Sequence, residues 1–272
     1  MDEASRRIAK RRAKDRLTEQ RRYDENAHIE QQQASSLDDL PVGYADLPRQ
    51  YHRPYRVFQA RLDQVIGPKT TILELGAGTG RYTRLLSERS REVVALDISH
   101  ASLEVCRRKT GGAAKMLCAD IEHLPLRDQV FDLVCSAGAL SYGSPEAVVE
   151  ELRRVLRPGG SLLVVDSLNH NPIYRFNRWL RYRRGQRSLS TLHHMPTLDT
   201  ITLLSRDFDE VTLDLSGSLL FLHPVLERSF GARRALNLSA RLDEFAGGGR
   251  YAFKFTLLAR GFSGYEYVQG KE

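Results

Sequence analysis

Hydrophobic positions change their spacing several times along the chain, and each change predicts a different element. Residues 53–66 carry apolar side chains three or four positions apart, the spacing of one helix face, and Gly67-Pro68 ends that pattern. From Thr70 onward, short apolar runs alternate with helical patterns. The runs predict strands at 71–75, 92–97, 115–119, 130–137 and 161–167. The patterns between them predict helices at 81–88, 102–109 and 145–156.

This alternation predicts an α/β fold, with a parallel sheet, right-handed crossovers and helices on both faces. In such sheets the ligand site lies at the carboxyl ends of the strands. After residue 169 the alternation stops, and only a helix at 198–205 and strands at 208–215 and 251–259 are predicted. Residues 170–196 and 216–250 are interpreted as cover insertions over the site.

The N-terminal residues form a separate region. Residues 1–36 are polar and carry no apolar stripe, so they predict a flexible or weakly helical basic arm. Residues 37–69 predict a helical cap, and residues 70–272 predict the main domain with its two cover insertions. We find no internal repeats.

Composition narrows the class of protein. The 272 residues are 41% hydrophobic and 28% charged, with no apolar run near the ~20 residues that span a bilayer. A charged N-terminus without an apolar core segment argues against a secretory signal. The cysteines Cys106, Cys118 and Cys135 lack metal-site spacing. We therefore expect a cytoplasmic globular protein without a structural metal.

Positive charge is concentrated in two segments. Residues 1–22 hold nine Lys or Arg against four acids, and residues 175–187 hold six Arg and no acid, in a chain of net charge +7. The remainder is therefore acidic. Such segregation indicates an anionic partner: a phosphorylated substrate, a nucleic acid or a membrane surface.

The most specific chemistry lies at the ends of the first three predicted strands. The turn Glu74-Leu75-Gly76-Ala77-Gly78-Thr79-Gly80 joins a strand to a helix, where glycines let the backbone approach a ligand. Arg81 stands where the dinucleotide fingerprint needs glycine. Asp97 ends the second strand and can accept both hydroxyls of a ribose. Asp120-Ile121 can receive an adenine amine and lie against its ring.

Five motifs occur together in order: this glycine turn, Asp97, Ala119-Asp120-Ile121, Phe131-Asp132-Leu133-Val134, and Leu156-Arg157-Pro158-Gly159-Gly160. Over residues 70–166 the chain therefore resembles the class I S-adenosylmethionine-dependent methyltransferases, in the type 11 group. The resemblance implies a doubly wound, Rossmann-like sheet of seven strands in the order 3-2-1-4-5-7-6, with the last strand antiparallel. It implies S-adenosyl-L-methionine as cofactor and S-adenosyl-L-homocysteine as product.

The resemblance also implies roles for individual residues. Glycines 76, 78 and 80 form the turn under the methionine and ribose, Glu74 braces it, and Asp97 holds the ribose. The complete set of predicted cofactor-binding residues is Glu74, Gly76, Ala77, Gly78, Gly80, Asp97, Ile98, Asp120, Ile121, Ser136, Ala137, Tyr44 and Tyr51.

Methyl transfer to a hydroxyl needs a group that accepts its proton. Tyr142 follows the fourth strand, and His193-His194 precede Pro196 near the six arginines. These three are the predicted catalytic residues. The other candidate bases are His170, His223 and Asp166. Solvated loop histidines and a packed tyrosine are the structural alternatives.

The sequence defines the methyl acceptor less closely than it defines the cofactor. Residues 171–184 mix arginines with aromatics, which fits a pocket wall for phosphate or carboxylate, an amphipathic helix on an anionic membrane, or an RNA-binding stripe. We expect methyl transfer to O or N of a small, anionic acceptor, either glycan-linked or an intermediate of natural-product biosynthesis. Without a recognisable RNA-binding module, a nucleic-acid partner is disfavoured. The alternatives are an RNA methyltransferase and a non-catalytic cofactor-binding partner subunit. The sequence is compatible with a homo-oligomer and does not define the oligomeric state.

Overall fold

The computed structural model describes residues 3–33, 42–45, 47–48, 51–218, 222–245, 249 and 251–264. The predicted boundary between arm and cap at residues 36 and 37 lies outside these residues, as do parts of the cover insertion 216–250. Within the described part of the chain, no helix is both long enough and apolar enough to cross a membrane.

The strands form one seven-stranded sheet in the order β3-β2-β1-β4-β5-β7-β6. This confirms the expected doubly wound fold. In chain order the strands are β1 Thr71–Leu75, β2 Glu92–Asp97, β3 Lys115–Cys118, β4 Phe131–Ala137, β5 Leu156–Ser167, β6 Phe208–Ser216 and β7 Lys254–Phe262.

Strands β1 to β5 pair in parallel, so their carboxyl ends share one edge. Strand β7 runs antiparallel to both neighbours, β5 and β6. The glycine turn, Asp97, Asp120 and Tyr142 each follow or end one of the parallel strands. The sheet therefore gathers them at a single edge.

Ten helices accompany the described strands. They are α1 Glu3–Gln33, α2 His52–Val65, α3 Thr83–Ser87, α4 His100–Lys109, α5 Pro145–Val155, α6 Pro172–Arg183, α7 Leu189–His193, α8 Leu198–Ser205, α9 His223–Phe230 and α10 Ala232–Phe245. A short 3-10 turn, Leu140–Tyr142, follows β4.

Two hydrophobic clusters cover the two faces of the sheet. Because side chains alternate along a strand, Ile72 of β1 joins the cluster with α2 and α4, whereas Leu73 and Leu75 join the cluster with α5 and α8. Leu162 and Leu163 of β5 divide in the same way. Apolar burial on both faces holds the carboxyl edge of the sheet in place.

The described N-terminus is a longer and more regular element than expected. Residues 3–33, for which the sequence predicts a flexible or weakly helical arm, form the 31-residue helix α1. Among its described side chains, Ala27 makes an apolar contact with Val105 and Ala101 of α4, and the Tyr23 ring packs edge-on against Tyr142. Most other contacts of the described side chains are polar, so a search for an apolar stripe misses the helix.

Candidate functional site

A cavity of about 310 Å³ lies at the carboxyl edge of the parallel strands. The glycine turn, the end of β2, the segment after β3 and the segment after β4 line one side. Helix α1 lines the other side with seven residues, Asp15, Arg16, Glu19, Tyr23, Asn26, Ala27 and Glu30. The cavity therefore lies between the sheet edge and a lid helix.

The glycine turn leaves room for a ligand where a side chain would fill it. Gly76, Gly78 and Gly80 all have positive φ, which favours glycine. A Cβ on Gly78 would meet no atom within 4 Å, whereas a Cβ on Gly76 would lie 2.4 Å from Ala139 Cβ. Gly78 thus faces open space and Gly76 allows close packing of β1 against the segment after β4.

Asp97 ends β2 and lies buried against this turn. Its Oδ2 accepts the Gly78 N–H at 2.8 Å and its Oδ1 accepts the Ser99 N–H at 2.9 Å. Burial raises the pKa of Asp97, while these N–H donors lower it. A carboxylate has about four acceptor sites, so the oxygens can still take two hydroxyl donors from the cavity.

Glu74 stands under the turn on the same strand as Leu73 and Leu75. Thr83 Oγ1 donates to its Oε2 at 2.6 Å. Burial raises the pKa of Glu74 to about 8, against the lowering effect of that hydrogen bond. Glu74 therefore braces the start of α3 and also lines the cavity.

Asp120 follows β3 and carries an ion pair that the sequence did not predict. Arg16 Nε of α1 lies 2.8 Å from Asp120 Oδ2, and Arg16 also pairs with Glu122. Asp120, Glu122 and His123 bring three potential metal-ligand atoms within 4.8 Å of one another. The arginine already neutralises part of this acidic group.

Three hydrogen-bonding contacts place α1 across the sheet edge. Glu30 Oε2 accepts from Thr79 Oγ1 at 2.7 Å after β1, and Asp24 Oδ1 accepts from Ser99 Oγ at 2.6 Å after β2. The third contact is Arg16 with Asp120 after β3. The helix therefore follows the strand order 1-2-3 from its C-terminal half towards its N-terminal half.

Tyr142 lines the cavity after β4, within a cluster of hydrogen-bond donors. Arg22 Nη2 and Arg187 Nη1 donate to its phenolic oxygen at 3.1 and 3.0 Å. The Tyr23 hydroxyl also bonds to it. Burial, and then Tyr142, raises the pKa of Tyr23 well above its usual value, so Tyr23 stays protonated. Two guanidinium groups and a phenol therefore surround one phenolic oxygen.

A second polar network lies behind the cavity at the end of β5. Asp166 accepts N–H groups from Leu140 at 3.0 Å and from Ser167 at 2.5 Å. Lys254 of β7 is buried, with its ammonium 4.9 Å from the centre of the Tyr55 ring. Burial lowers the pKa of Lys254, but Tyr55 and Asp166 raise it by more. The network supports Tyr55, which lines the cavity.

Ten predicted site residues line the cavity. They are Glu74, Gly76, Ala77, Gly78, Asp97, Ile98, Asp120, Ile121, Ala137 and Tyr142. Gly80 and Ser136 lie behind the lining: a Cβ on Gly80 would meet Cys106 Sγ at 2.9 Å, and the Ser136 hydroxyl donates to Leu75 O.

The remaining four predicted residues do not line the cavity. Tyr44 packs on the ring of His52, and Tyr51 packs on Phe253. The site is lined instead by Leu47 and Tyr55 from the same stretch.

His193 and His194 are also outside the lining. Ser190 and Thr191 of α7 are the residues that α7 presents to the cavity. His193 lies two positions, or about 200°, around the helix from Thr191, and neither histidine is among the residues that line the cavity. The geometry therefore gives no support to a catalytic base at either histidine.

Comparison with known proteins finds a methyltransferase domain in the part of the chain that contributes the sheet-edge residues of this site. A family model described as "Methyltransferase domain" matches residues 73–164. The malonyl-[acyl-carrier protein] O-methyltransferase of Hamiltonella defensa is 37% identical over 106 residues, 38% of this chain and 41% of that protein. The demethylmenaquinone methyltransferase of Thermobifida fusca is 33% identical over 114 residues, 40% of this chain and 48% of that protein. The chain thus spans less than half the length of these relatives.

A solved structure shares the fold. The N-methyltransferase NodS from Bradyrhizobium japonicum, in complex with S-adenosyl-L-homocysteine, aligns with a TM-score of 0.51 at 16% identity, over 80% of this chain and 90% of that chain. The strand order, the glycine turn with its open side, and the family match over 73–164 agree. Residues 73–164 therefore carry a methyltransferase domain of the type 11 group, on the seven-stranded sheet described above.

Proposed function

We propose that the chain transfers a methyl group from S-adenosyl-L-methionine to an oxygen or nitrogen of a small, anionic acceptor. One observation carries this proposal: Tyr142, with its surrounding donors, lines the same cavity as the glycine turn and Asp97. A proton-accepting group and a nucleoside site thus share one enclosed space.

The residues at the sheet edge fit the cofactor. Asp97 would accept the ribose hydroxyls, and Ile121 would lie against the adenine ring. Asp120 would accept the adenine amine beside Arg16, because a carboxylate offers about four acceptor sites and the neighbours fill only part of them. When bound, the cofactor supplies an electrophilic methyl group on its sulfonium.

Tyr142 is the proposed general base. Its oxygen accepts from the guanidinium groups of Arg22 and Arg187 and bonds to the Tyr23 hydroxyl. As the phenolate, Tyr142 would take the proton of an acceptor hydroxyl or ammonium group while the methyl group is transferred, and so become the neutral phenol.

The acceptor class follows from charge. Arg22 and Arg187 approach the cavity from two cover elements, one from α1 and one from the segment before α7. An acceptor with a carboxylate or phosphate near its reacting atom would complement them. The malonyl group named for one relative carries such a carboxylate. A glycan-linked or natural-product intermediate with an anionic group fits the same description.

The test first identifies the methyl acceptor and then measures the effect of one substitution on its methylation. Cell extract is incubated with the protein and methyl-labelled cofactor, and the labelled product is identified by mass spectrometry. Tyr142→Phe should then lower kcat by about a hundredfold or more, the usual contribution of a general base, while S-adenosylhomocysteine affinity stays the same. Tyr251→Phe, on the surface, serves as the matched control and should leave kcat unchanged.

Three outcomes would contradict the proposal, each in a different part. A wild-type protein that binds S-adenosylhomocysteine but labels nothing in the extract would indicate a non-catalytic partner subunit. Label found in RNA would replace the small-molecule acceptor with a nucleic acid. Full activity of Tyr142→Phe would leave methyl transfer in place but remove Tyr142 as the base.

A further inference from the structure

Helix α6 has an unusual distribution of side chains for a cover element. None of its residues is buried. Ile173, Phe176 and Trp179 are 39%, 59% and 44% exposed, and the rings of Phe176 and Trp179 stack at 5.8 Å. Residues three and four apart share one helix face, so with Leu180 these residues form a continuous apolar stripe.

The opposite face of α6 attaches it to the protein body. Arg178 Nη2 lies 3.2 Å from Tyr174 Oη and 3.4 Å from Ser167 Oγ of β5. At the helix start, Asn171 Oδ1 accepts from the N–H groups of Ile173 and Tyr174. Its amide also donates to Ser218 O at 3.2 Å and Tyr251 O at 2.9 Å. The helix is therefore held in one orientation, with its apolar stripe outward.

Arginines surround this stripe. Arg175, Arg181, Arg183 and Arg184 are exposed, and the Arg183 guanidinium lies 5.6 Å from the centre of the Trp179 ring. No acidic residue occurs between 175 and 187. Long arginine side chains can pack along apolar groups while their charges reach polar headgroups.

We propose that the α6 face, defined as Ile173, Phe176, Trp179 and Leu180 with the flanking Arg175, Arg181, Arg183 and Arg184, binds an anionic phospholipid surface. A helix with an apolar face and basic flanks lies in the plane of such an interface. Charge complementarity selects anionic lipid, since arginines near such a surface are attracted to its negatively charged headgroups.

The aliphatic members of the stripe favour lipid over RNA. Single-stranded RNA is bound by aromatic side chains that stack on bases, together with a basic groove. Ile173 and Leu180 have no ring for stacking, but they bury well among acyl chains. The proposal is independent of the methyl acceptor, because no residue of α6 is among those that line the cavity.

The experiment measures co-sedimentation with vesicles of phosphatidylcholine alone and of equal parts phosphatidylcholine and phosphatidylglycerol. Wild-type protein should bind the mixed vesicles, bind the neutral ones at least about tenfold less, and dissociate as salt rises. Phe176→Ser with Trp179→Ser should abolish binding. Arg175→Glu with Arg181→Glu and Arg184→Glu should also abolish it.

Matched controls separate this face from general properties of the surface. Val211→Ser with Phe230→Ser removes two exposed apolar side chains elsewhere, and Arg56→Glu with Arg91→Glu and Arg127→Glu makes the same charge change elsewhere. Both controls should retain vesicle binding. All variants should keep the wild-type affinity for S-adenosylhomocysteine, which shows that they fold.

Three results would overturn the proposal. The first is wild-type protein that binds neither vesicle, which would leave α6 as a solvated helix. The second is binding to a single-stranded RNA oligonucleotide without binding to mixed vesicles. The third is vesicle binding that the control variants lose as much as the α6 variants do. None of these results depends on whether the protein transfers methyl groups.

Discussion

Asp97 combines two tasks at a single carboxylate. Its oxygens hold the N–H groups of Gly78 and Ser99, and they also face the cavity. Removing the whole side chain would leave two N–H groups without acceptors. An amide replacement keeps the shape and one acceptor oxygen, so it disturbs the two N–H groups less than removal of the whole side chain does.

We therefore predict that Asp97→Asn weakens S-adenosylhomocysteine binding by about 1.5–3 kcal/mol, the range for hydrogen bonds to a charged group. Isothermal titration calorimetry measures this loss as a factor of about ten to a hundred. Asp63→Asn, on the exposed side of α2, is the control with an equal change of charge. Unchanged affinity for Asp97→Asn would exclude the ribose role.

At the scale of single residues, the sequence predicts those site features that depend on a few neighbouring positions in the chain. A glycine turn and an acid at a strand end are each defined by a few neighbouring positions, and parallel pairing brings them to one edge. Tyr44 and Tyr51 failed to reach the cavity because their placement depends on packing against His52 and Phe253. No short-range pattern encodes those contacts.

Helix α1 shows what element-scale patterns miss. The residues it turns toward the cavity are mostly polar and recur three or four positions apart, at Asp15, Glu19, Tyr23, Asn26 and Glu30. A hydrophobic-periodicity search finds no signal in such a face. A search for polar residues at helical spacing, opposite a predicted nucleoside site, would have identified the lid.

We predict that deletion of residues 1–33 lowers S-adenosylhomocysteine affinity about tenfold or more, because the cavity loses one of its walls. Both main hydrophobic clusters lie outside α1, so the shortened protein should lose the helical signal of α1 in circular dichroism but still unfold cooperatively on heating. Calorimetry gives the affinity.

Single substitutions within α1 refine this test. Arg16→Ala removes the ion pair with Asp120 and should reproduce part of the loss, whereas Arg21→Ala, exposed on the same helix, should not. A deletion variant with wild-type affinity would show that α1 covers the site without contributing to binding.

For the whole molecule, the free energy of unfolding should depend on pH through Glu74. Its pKa is about 8 in the folded protein and near the usual 4.5 in the unfolded chain. Between these values the folded state binds the extra proton, so the free energy of unfolding falls as pH rises from 4.5 to 8, by at most ~1.4 kcal/mol per pH unit.

Glu74→Gln removes this titration while its amide oxygen can still accept from Thr83. We predict a flatter dependence of the free energy of unfolding on pH between 5 and 8, measured by urea denaturation of the cofactor-free protein. Glu92→Gln, exposed at the start of β2, should keep the wild-type dependence. An equally steep fall in Glu74→Gln would show that other groups cause it.

The whole fold was predictable in part from residues and in part only through resemblance. Alternating strand and helix patterns predict a parallel α/β sheet, and the strands at 71–75 and 92–97 have the predicted bounds. Hydrophobic spacing does not show the order of strands in the sheet. The apolar pattern of a buried strand is the same whichever strands lie beside it. The family motifs supplied that order.

Strand β7 lies between β5 and β6 although it is the last of the three in the chain. On the ribosome, β5 and β6 are therefore both complete before their common partner exists. Until residues 254–262 emerge, β6 has no neighbour in the sheet and one side of β5 is an unpaired edge. The glycine turn can therefore form early in the nascent chain. The sheet closes, and Lys254 comes to lie beside Asp166, only after β7 has been synthesised.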